Sequence, residues 1–281
     1  MFSFRALNDV PGALIVDALN DAFANYPVAL QMTGAKLDFM LRERSVRLEH
    51  SFGLFDQDFL CGLVLNGGRS IDGVQTAYDA GTGTRVAYQG KGHGAKLLQQ
   101  TIKQLSSFGY QRYLLEVLTD NTPAVGLYRR HGFAIQQELA CYKASCEALA
   151  VHTGIAISID LPSAWPNRFS SLRQYRPSWQ NSDAAVTAVG ERCQLIAVMQ
   201  EQCPCAYAVL VAETGNIMQI GWDDEQAVAA LLGRCAALAA TAELRIVNIP
   251  AAATATERVL LEHGFRRFVT QYEMALELDH A

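Results

Sequence analysis

The stretch Tyr88-Gln89-Gly90-Lys91-Gly92-His93-Gly94-Ala95 packs three glycines into five residues, and its reading decides the fold. It lies between a strand-like run, Thr82 to Ala87, and a helical one, Ala95 to Phe108. Glycines at alternate positions let a backbone turn tightly and bring its N–H groups up to a ligand with no Cβ in the way. Ala95, Leu98, Ile102 and Leu105 have the spacing of one buried helix face, and Gly109 stands where a helix closes. A glycine turn that feeds a helix N-terminus is a ready anion site, because free N–H groups and the helix dipole point at it. Two nucleotide motifs are excluded. No Gly-Lys-Ser or Gly-Lys-Thr follows for a Walker A loop, and Gly90, Gly92 and Gly94 are too evenly spaced for a dinucleotide fingerprint.

Downstream lies Leu115-Glu116-Val117-Leu118-Thr119-Asp120-Asn121-Thr122-Pro123-Ala124-Val125-Gly126-Leu127-Tyr128-Arg129-Arg130-His131-Gly132-Phe133. It reads as a strand, a turn, a short helix capped by Thr122 with Pro123 at its first position, and a glycine stop at Gly132. Glu116 is a carboxylate inside an otherwise apolar run of Leu114, Leu115, Val117 and Leu118. Burial there raises a carboxylate's pKa toward the range of a working base. The alternative is a structural glutamate paired with Arg112 or Arg85, and Asp79 is the second candidate base.

Together these two stretches resemble the GNAT acetyltransferases. Gln89-Gly90-Lys91-Gly92-His93-Gly94 fills the pattern Q/R-x-x-G-x-G/A, and the second stretch fills LEV-x-x-x-N-x-x-A-x-x-LY-x-x-x-GF. The resemblance implies acetyl-CoA as co-substrate, with its diphosphate on N–H groups from Gly90, Lys91, Gly92, His93, Gly94 and Ala95 beside Gln89. Lys91 is a candidate to add charge near the 3′-phosphate. It implies a bulged fourth strand that splays from the fifth, with backbone near Thr82 to Thr84 meeting the pantetheine arm and the acetyl carbonyl. Asn121 is similar to the family's coenzyme-bonding asparagine, with a turn-forming role as the alternative. Tyr128 is similar to the tyrosine that protonates the leaving thiolate. His93 and His131 occupy variable positions and carry no catalysis, and Cys61 and Cys141 read as core thiols.

Composition bounds the rest. A chain of 281 residues, 50% hydrophobic and 18% charged, suggests two globular domains. No apolar run reaches the ~18 residues a membrane helix needs, and Met1-Phe2-Ser3-Phe4-Arg5 lacks a signal-peptide layout. The seven cysteines include no C-x-x-C, and Cys203-Pro204-Cys205 has the wrong spacing for a zinc knuckle. Reduced thiols in a cytoplasm, and no metal, are therefore expected. Residues 1–152 carry 14 basic and 14 acidic side chains, and residues 153–281 carry 9 and 14, so the formal charge of −5 sits in the second half. Without basic patches a nucleic acid is excluded as a partner. A cationic acceptor fits an acidic surface, and so does plain solubility.

In chain order, Phe2 to Leu7 reads as a strand, Pro11 to Ala24 and Thr33 to Arg44 as helices, and Ser51 to Phe55 with Phe59 to Leu65 as a hairpin. Tyr26, Gln31 and Asp38 are candidates to line the acceptor site. After Tyr142 the pattern breaks, and Ser158 to Trp179 reads as linker. Strands at 194–199, 206–211 and 217–221, a helix at 225–240, a strand at 244–249 and a helix to His263 then repeat the first order. Gly264-Phe265 falls 132 residues after Gly132-Phe133. At that offset the glycine turn falls on 221–226, Glu116 on Asn248, Asn121 on Ala253 and Tyr128 on Leu260.

The expectation is an α/β (α+β) chain of two GNAT-like domains, each a mixed, mostly antiparallel sheet flanked by helices. Residues 1–150 form the catalytic domain, and residues 151–281 a degenerate copy without the coenzyme motif. The expected activity is acetyl transfer from acetyl-CoA to a primary amine, a small molecule, by direct attack, with a homodimer left open. A peptide N-terminal acetyltransferase and a non-catalytic acyl-CoA-binding regulator are the alternatives.

Overall fold

The computed structural model describes residues 2–25, 31–149, 156–160 and 165–278. It divides into two compact units, one of residues 1–136 with 273–281 and one of residues 137–272.

The first unit runs β1 (Phe2–Ala6), α1 (Gly12–Ala22), α2 (Gly34–Glu43), β2 (Phe52–Asp56), β3 (Phe59–Ile71), β4 (Val74–Thr84), α3 (His93–Ser107), β5 (Arg112–Leu118) and α4 (Thr122–Arg130). Strands β1 to β4 pair antiparallel in order, and β5 pairs parallel with β4. A parallel neighbour requires a crossover, and α3 supplies it. Leu97, Leu98, Thr101 and Leu105 are its buried residues, and Leu97 packs with Phe52, Leu54 and Val64. The expected face thus rotates from Ala95 and Ile102 toward Leu97 and Thr101, because the sheet lies on that side. Gly109 follows the helix at φ +81°, a conformation that glycine takes without strain.

Two irregularities in β4 set up the site. Leu65 lies opposite Gly81 and Asn66 opposite Asp79, which leaves Ala80 as an extra residue, a β-bulge. Pairing with β5 runs from Thr76↔Arg112 to Asp79↔Leu115 and stops there. The two strands therefore part at the bulge. At α4 the cap differs from expectation: Asn121 is the N-cap, its Oδ1 accepting from the Ala124 N–H at 3.2 Å, and Thr122 is the first helical residue. Asparagine here reaches the third helical N–H, the usual N-cap bond.

The second unit contains most of β6 (Ala134–Ser145), then α5 (Cys146–Leu149), β7 (Ala156–Asp160), α6 (Trp165–Phe169), α7 (Asp183–Ala188), β8 (Gln194–Gln200), β9 (Cys203–Val211), β10 (Asn216–Trp222), α8 (Gln226–Leu238), β11 (Glu243–Pro250) and α9 (Thr254–Glu262). Its sheet order is β6-β11-β10-β9-β8-β7. Tyr142, Ile196, Ala208, Leu231, Leu244 and Leu260 are among its buried core residues. The last strand, β12 (Arg266–Glu277), begins in this unit, and from Glu273 it belongs to the first.

The units divide at residues 136/137 and 272/273, whereas the sequence suggested a boundary at 150. The reason is an exchange of strands. β6 pairs antiparallel with β11, while the end of β12 lies beside β5. There the Leu278 N–H donates to the Gln111 carbonyl at 2.8 Å, and Arg112 pairs with Glu277 at 2.6 Å. Counted by unit, the charge is −2 in the first and −3 in the second, so the acidic surplus is shared.

The internal repeat is also sharpened. Offset by 132, β11 and α9 match β5 and α4, with Ala253 capping α9 where Asn121 caps α4. Upstream the offset fails. The connection from β4 to α3 spans 85–92, but that from β10 to α8 spans only 223–225, so Gly221 and Trp222 are strand residues. The glycine turn has no counterpart in the second unit.

Candidate active site

The glycine turn is held in shape by its own side chains. A short 3-10 turn (Val86–Tyr88) leads into it, Gly90 has φ +72°, and Gly92 caps α3 at φ +77°. A Cβ placed on Gly90 or Gly92 would meet no atom within 4 Å. The space in front of the turn is open, as an anion cradle requires. Gln89 Nε2 donates to the carbonyls of Thr84 at 2.9 Å and Ala22 at 3.3 Å, so this side chain braces the turn. Lys91 Nζ donates to the Ala87 carbonyl at 2.8 Å, and His93 packs on Phe2 at 4.5 Å. His93, Gly94 and Ala95 form the first turn of the helix, where N–H groups have no intrahelical acceptor. Thr84 Oγ1 would stand 3.4 Å from a Cβ on Gly94.

Where β4 and β5 part, titratable groups gather on both faces. Successive strand residues point to opposite sides, so Tyr78 and Glu116 share one face while Asp79 and Leu115 share the other. On the first face the Tyr78 hydroxyl donates to Glu116 Oε2 at 3.0 Å. Arg44, just past α2, donates from Nη1 to the carbonyl of the bulge residue Ala80 at 2.6 Å. Burial acts to discharge Arg44, but Tyr78, Glu43 and Glu116 outweigh it and hold its pKa above the ordinary value. Arg112 and Arg85, the expected partners of Glu116, are bonded elsewhere. Arg112 pairs with Glu277, and Arg85 with Asp17 and Asp21.

On the second face stands Asp79, 7% exposed. Its Oδ1 accepts from the Gly81 N–H at 2.9 Å, and its Oδ2 accepts from the hydroxyls of Thr82 at 2.5 Å and Tyr128 at 3.3 Å. Burial pushes its pKa up to about 6, against the opposing pull of these donors and of Arg44. Tyr128, also buried, packs edge-on against Phe133. The sequence named Glu116, Tyr128 and Asp79. It did not reveal that Asp79 and Tyr128 meet, nor that Glu116 lies on the other face with Tyr78 and Arg44. The register of β4 on β5 and the position of the bulge decide this, and neither has a local signature. Tyr26 lies outside the described residues, and Gln31 and Asp38 are exposed.

The second unit has a comparable parting, filled differently. β10 pairs with β11 only at Asn216↔Arg245. Beyond it, Gln219 of β10 donates to the Asn181 carbonyl at 2.6 Å, and Asn181 Nδ2 donates to the Val247 carbonyl of β11 at 2.7 Å. The 3-10 segment Trp179–Asn181 thus bridges the two strands. At the start of α8 the Asp224 carboxylate accepts from the Gln226 N–H at 3.0 Å, and Glu225 pairs with Arg258 at 2.5 Å. Asn248 and Leu260 stand at the positions of Glu116 and Tyr128, both buried. Among the described residues no cluster of three or more His, Cys, Asp or Glu is placed to hold a metal ion, and no helix is long and apolar enough to cross a membrane.

Comparison with known proteins agrees with this architecture. A GCN5-related N-acetyltransferase from Sphaerobacter thermophilus superposes with a TM-score of 0.71 at 13% identity, over 99% of this chain and 96% of that one. A tandem GNAT protein from the clavulanic acid biosynthesis pathway gives 0.71 at 13% identity, over 100% of both chains. An inferred acetyltransferase of Pyrococcus horikoshii gives 0.73 at 14%, over 99% and 90%. At such identities the likeness speaks for the fold. No curated protein matches the chain in sequence. The model of the acetyltransferase (GNAT) family matches residues 20–133, which hold the glycine turn, the bulged β4, Glu116, Asn121 and Tyr128. That segment matches the GNAT family of acetyltransferases, and the chain as a whole shares the fold of GNAT proteins.

Proposed function

We propose that the first unit transfers an acetyl group from acetyl-CoA to the primary amine of a small molecule, by direct attack. The observation that carries this reading is the parting of β4 and β5 at Asp79↔Leu115, with Tyr128 on one face and Glu116 on the other. The diphosphate lies on the N–H groups of Gly90 to Ala95, where the helix dipole and open glycines favour an anion. The pantetheine arm enters the gap beside Thr82 and Thr84. Asn121, whose Oδ1 caps α4, meets the coenzyme at this strand-to-helix turn.

An amine attacks as its neutral form, so a base must take its proton. Glu116 is that base, oriented by the Tyr78 hydroxyl and sharing Arg44's field. Tyr128 gives a proton to the departing sulfur from the opposite face. A base and an acid on opposite faces of one gap can act on the two ends of the same transfer.

The second unit binds no coenzyme in this reading. It lacks a glycine turn, and carboxylates open α8, where they complement the dipole and repel phosphate. Its strand gap is bridged by Asn181. The small-amine assignment takes no support from charge, since the acidic surplus divides between the units. It rests on the two-unit chain itself. Mass-spectrometric screening of small amines and peptides with acetyl-CoA tests it. A gain of one acetyl group on a small amine supports the reading, and acetylation confined to peptide N-termini overturns it.

A further inference from the structure

Asp79 and Tyr128 form a buried pair, and their proton count bears on how the tyrosine can act. The two side chains are 7% and 8% exposed, with the hydroxyl 3.3 Å from Asp79 Oδ2. A tyrosine hydroxyl has one hydrogen to give. While Asp79 is ionised, that hydrogen is drawn onto its carboxylate and away from the gap. When Asp79 carries a proton, the carboxyl O–H can donate to the tyrosine oxygen, and the tyrosine hydrogen is released toward the gap.

We propose that Asp79 is the proton reservoir behind Tyr128, a positioning residue that acts on the leaving sulfur only through that hydroxyl. The proposal rests on the acetyl-transfer reading above. The amine nitrogen bonds to the acetyl carbon, the carbon–sulfur bond breaks, and its electron pair goes to sulfur. Sulfur takes the Tyr128 proton, and the tyrosine oxygen takes the Asp79 carboxyl proton. The nitrogen gives its surplus proton to Glu116, and Asp79 regains one from solvent between turnovers. One proton leaves nitrogen and one reaches sulfur, so the step balances.

The surroundings fit a carboxyl poised between its two states. Burial favours the neutral form. The Thr82 hydroxyl and the Gly81 N–H on its own strand, Tyr128 from α4, and the Arg44 guanidinium beside α2 favour the ionised one. From β5, Tyr113 is a neutral phenol whose own hydroxyl donates to Asn66 at 2.6 Å. Glu116 is on the far side of the sheet with Tyr78. The balance lies at about 6, where a carboxyl can both hold and release a proton.

Asp79→Asn decides the matter, because the amide keeps a donor beside the tyrosine oxygen but cannot resupply a proton. Ultraviolet titration of the phenols in wild type, Asp79→Asn and Tyr128→Phe gives a readout that needs no acceptor. Removing the carboxylate should lower the Tyr128 phenol pKa relative to wild type. In thiol-release assays with acetyl-CoA and the amine that the screen above selects, Asp79→Asn should lower kcat by roughly 10²-fold. KM for acetyl-CoA should stay unchanged, and the rate should lose its dependence on pH near 6. An unaltered Tyr128 titration, or wild-type kcat with an unaltered pH profile, would overturn the proposal. If no amine releases thiol even with wild type, the acetyl-transfer reading fails, and the phenol titration still reports on the pair.

Discussion

At the scale of single residues, Asp79 dominates the pH behaviour. Its carboxyl is raised by burial from 3.8 to about 6. Between those values the folded chain keeps a proton that the unfolded chain has lost, so this residue's contribution makes stability fall as pH rises through the window. The span corresponds to on the order of 3 kcal/mol. Asp79→Asn should therefore flatten its share of the stability slope between pH about 4 and 7 in denaturant titrations, leaving the slope from Glu43, which burial raises in the same direction. An equally steep slope in the variant would show that Asp79 titrates normally. Tyr128→Phe removes the proton donor and keeps the packing on Phe133. It should lower kcat by roughly 10²-fold with little effect on coenzyme affinity. Glu116→Gln should flatten the acidic limb of the pH–rate profile, and a persisting limb would move the base elsewhere.

At the scale of elements, the turn between β4 and α3 makes the sharpest prediction. Gly92 has φ +77°, so a side chain there is strained as well as placed against the anion. Gly92→Asp should weaken CoA binding by on the order of 100-fold or more, since a like charge then faces the diphosphate and the N–H cradle is strained. Gly109→Ala is the control. It sits at φ +81° beyond the far end of α3, and should cost ~1–2 kcal/mol of stability while CoA affinity is kept. Equal losses of affinity in both variants would mean that the turn acts only through folding. This element was legible in the sequence because its signals are local: alternate glycines, a helical apolar face and a closing Gly109. The same holds for β5 and α4, where Glu116 and Tyr128 were found. What was not legible is pairing. Only the resemblance implied a bulged, splayed fourth strand; the bulge's place at Ala80 and the end of the β4–β5 ladder depend on partner strands distant in the chain, and they decide that Tyr128 meets Asp79 and not Glu116.

At the scale of the molecule, strand exchange is the feature that sequence periodicity missed. Ala134–Ser145 and Arg266–Glu277 were not read as strands, and each completes the sheet of the unit that the rest of its half does not form. A chain cut at residue 150 keeps the coenzyme motif but loses residues 273–278 beside β5. That fragment should consequently be far less stable than the intact chain, and a co-expressed second half should restore it.

The division of labour between the units is the central claim: one working coenzyme site in the first, and none in the second, where the glycine turn is missing and Asn181 bridges β10 to β11. Calorimetric titration of the intact chain with CoA tests it most directly. The account predicts one CoA per chain, and loss of all binding in Gly92→Asp. A stoichiometry of two, or tight binding that survives in that variant, would contradict it.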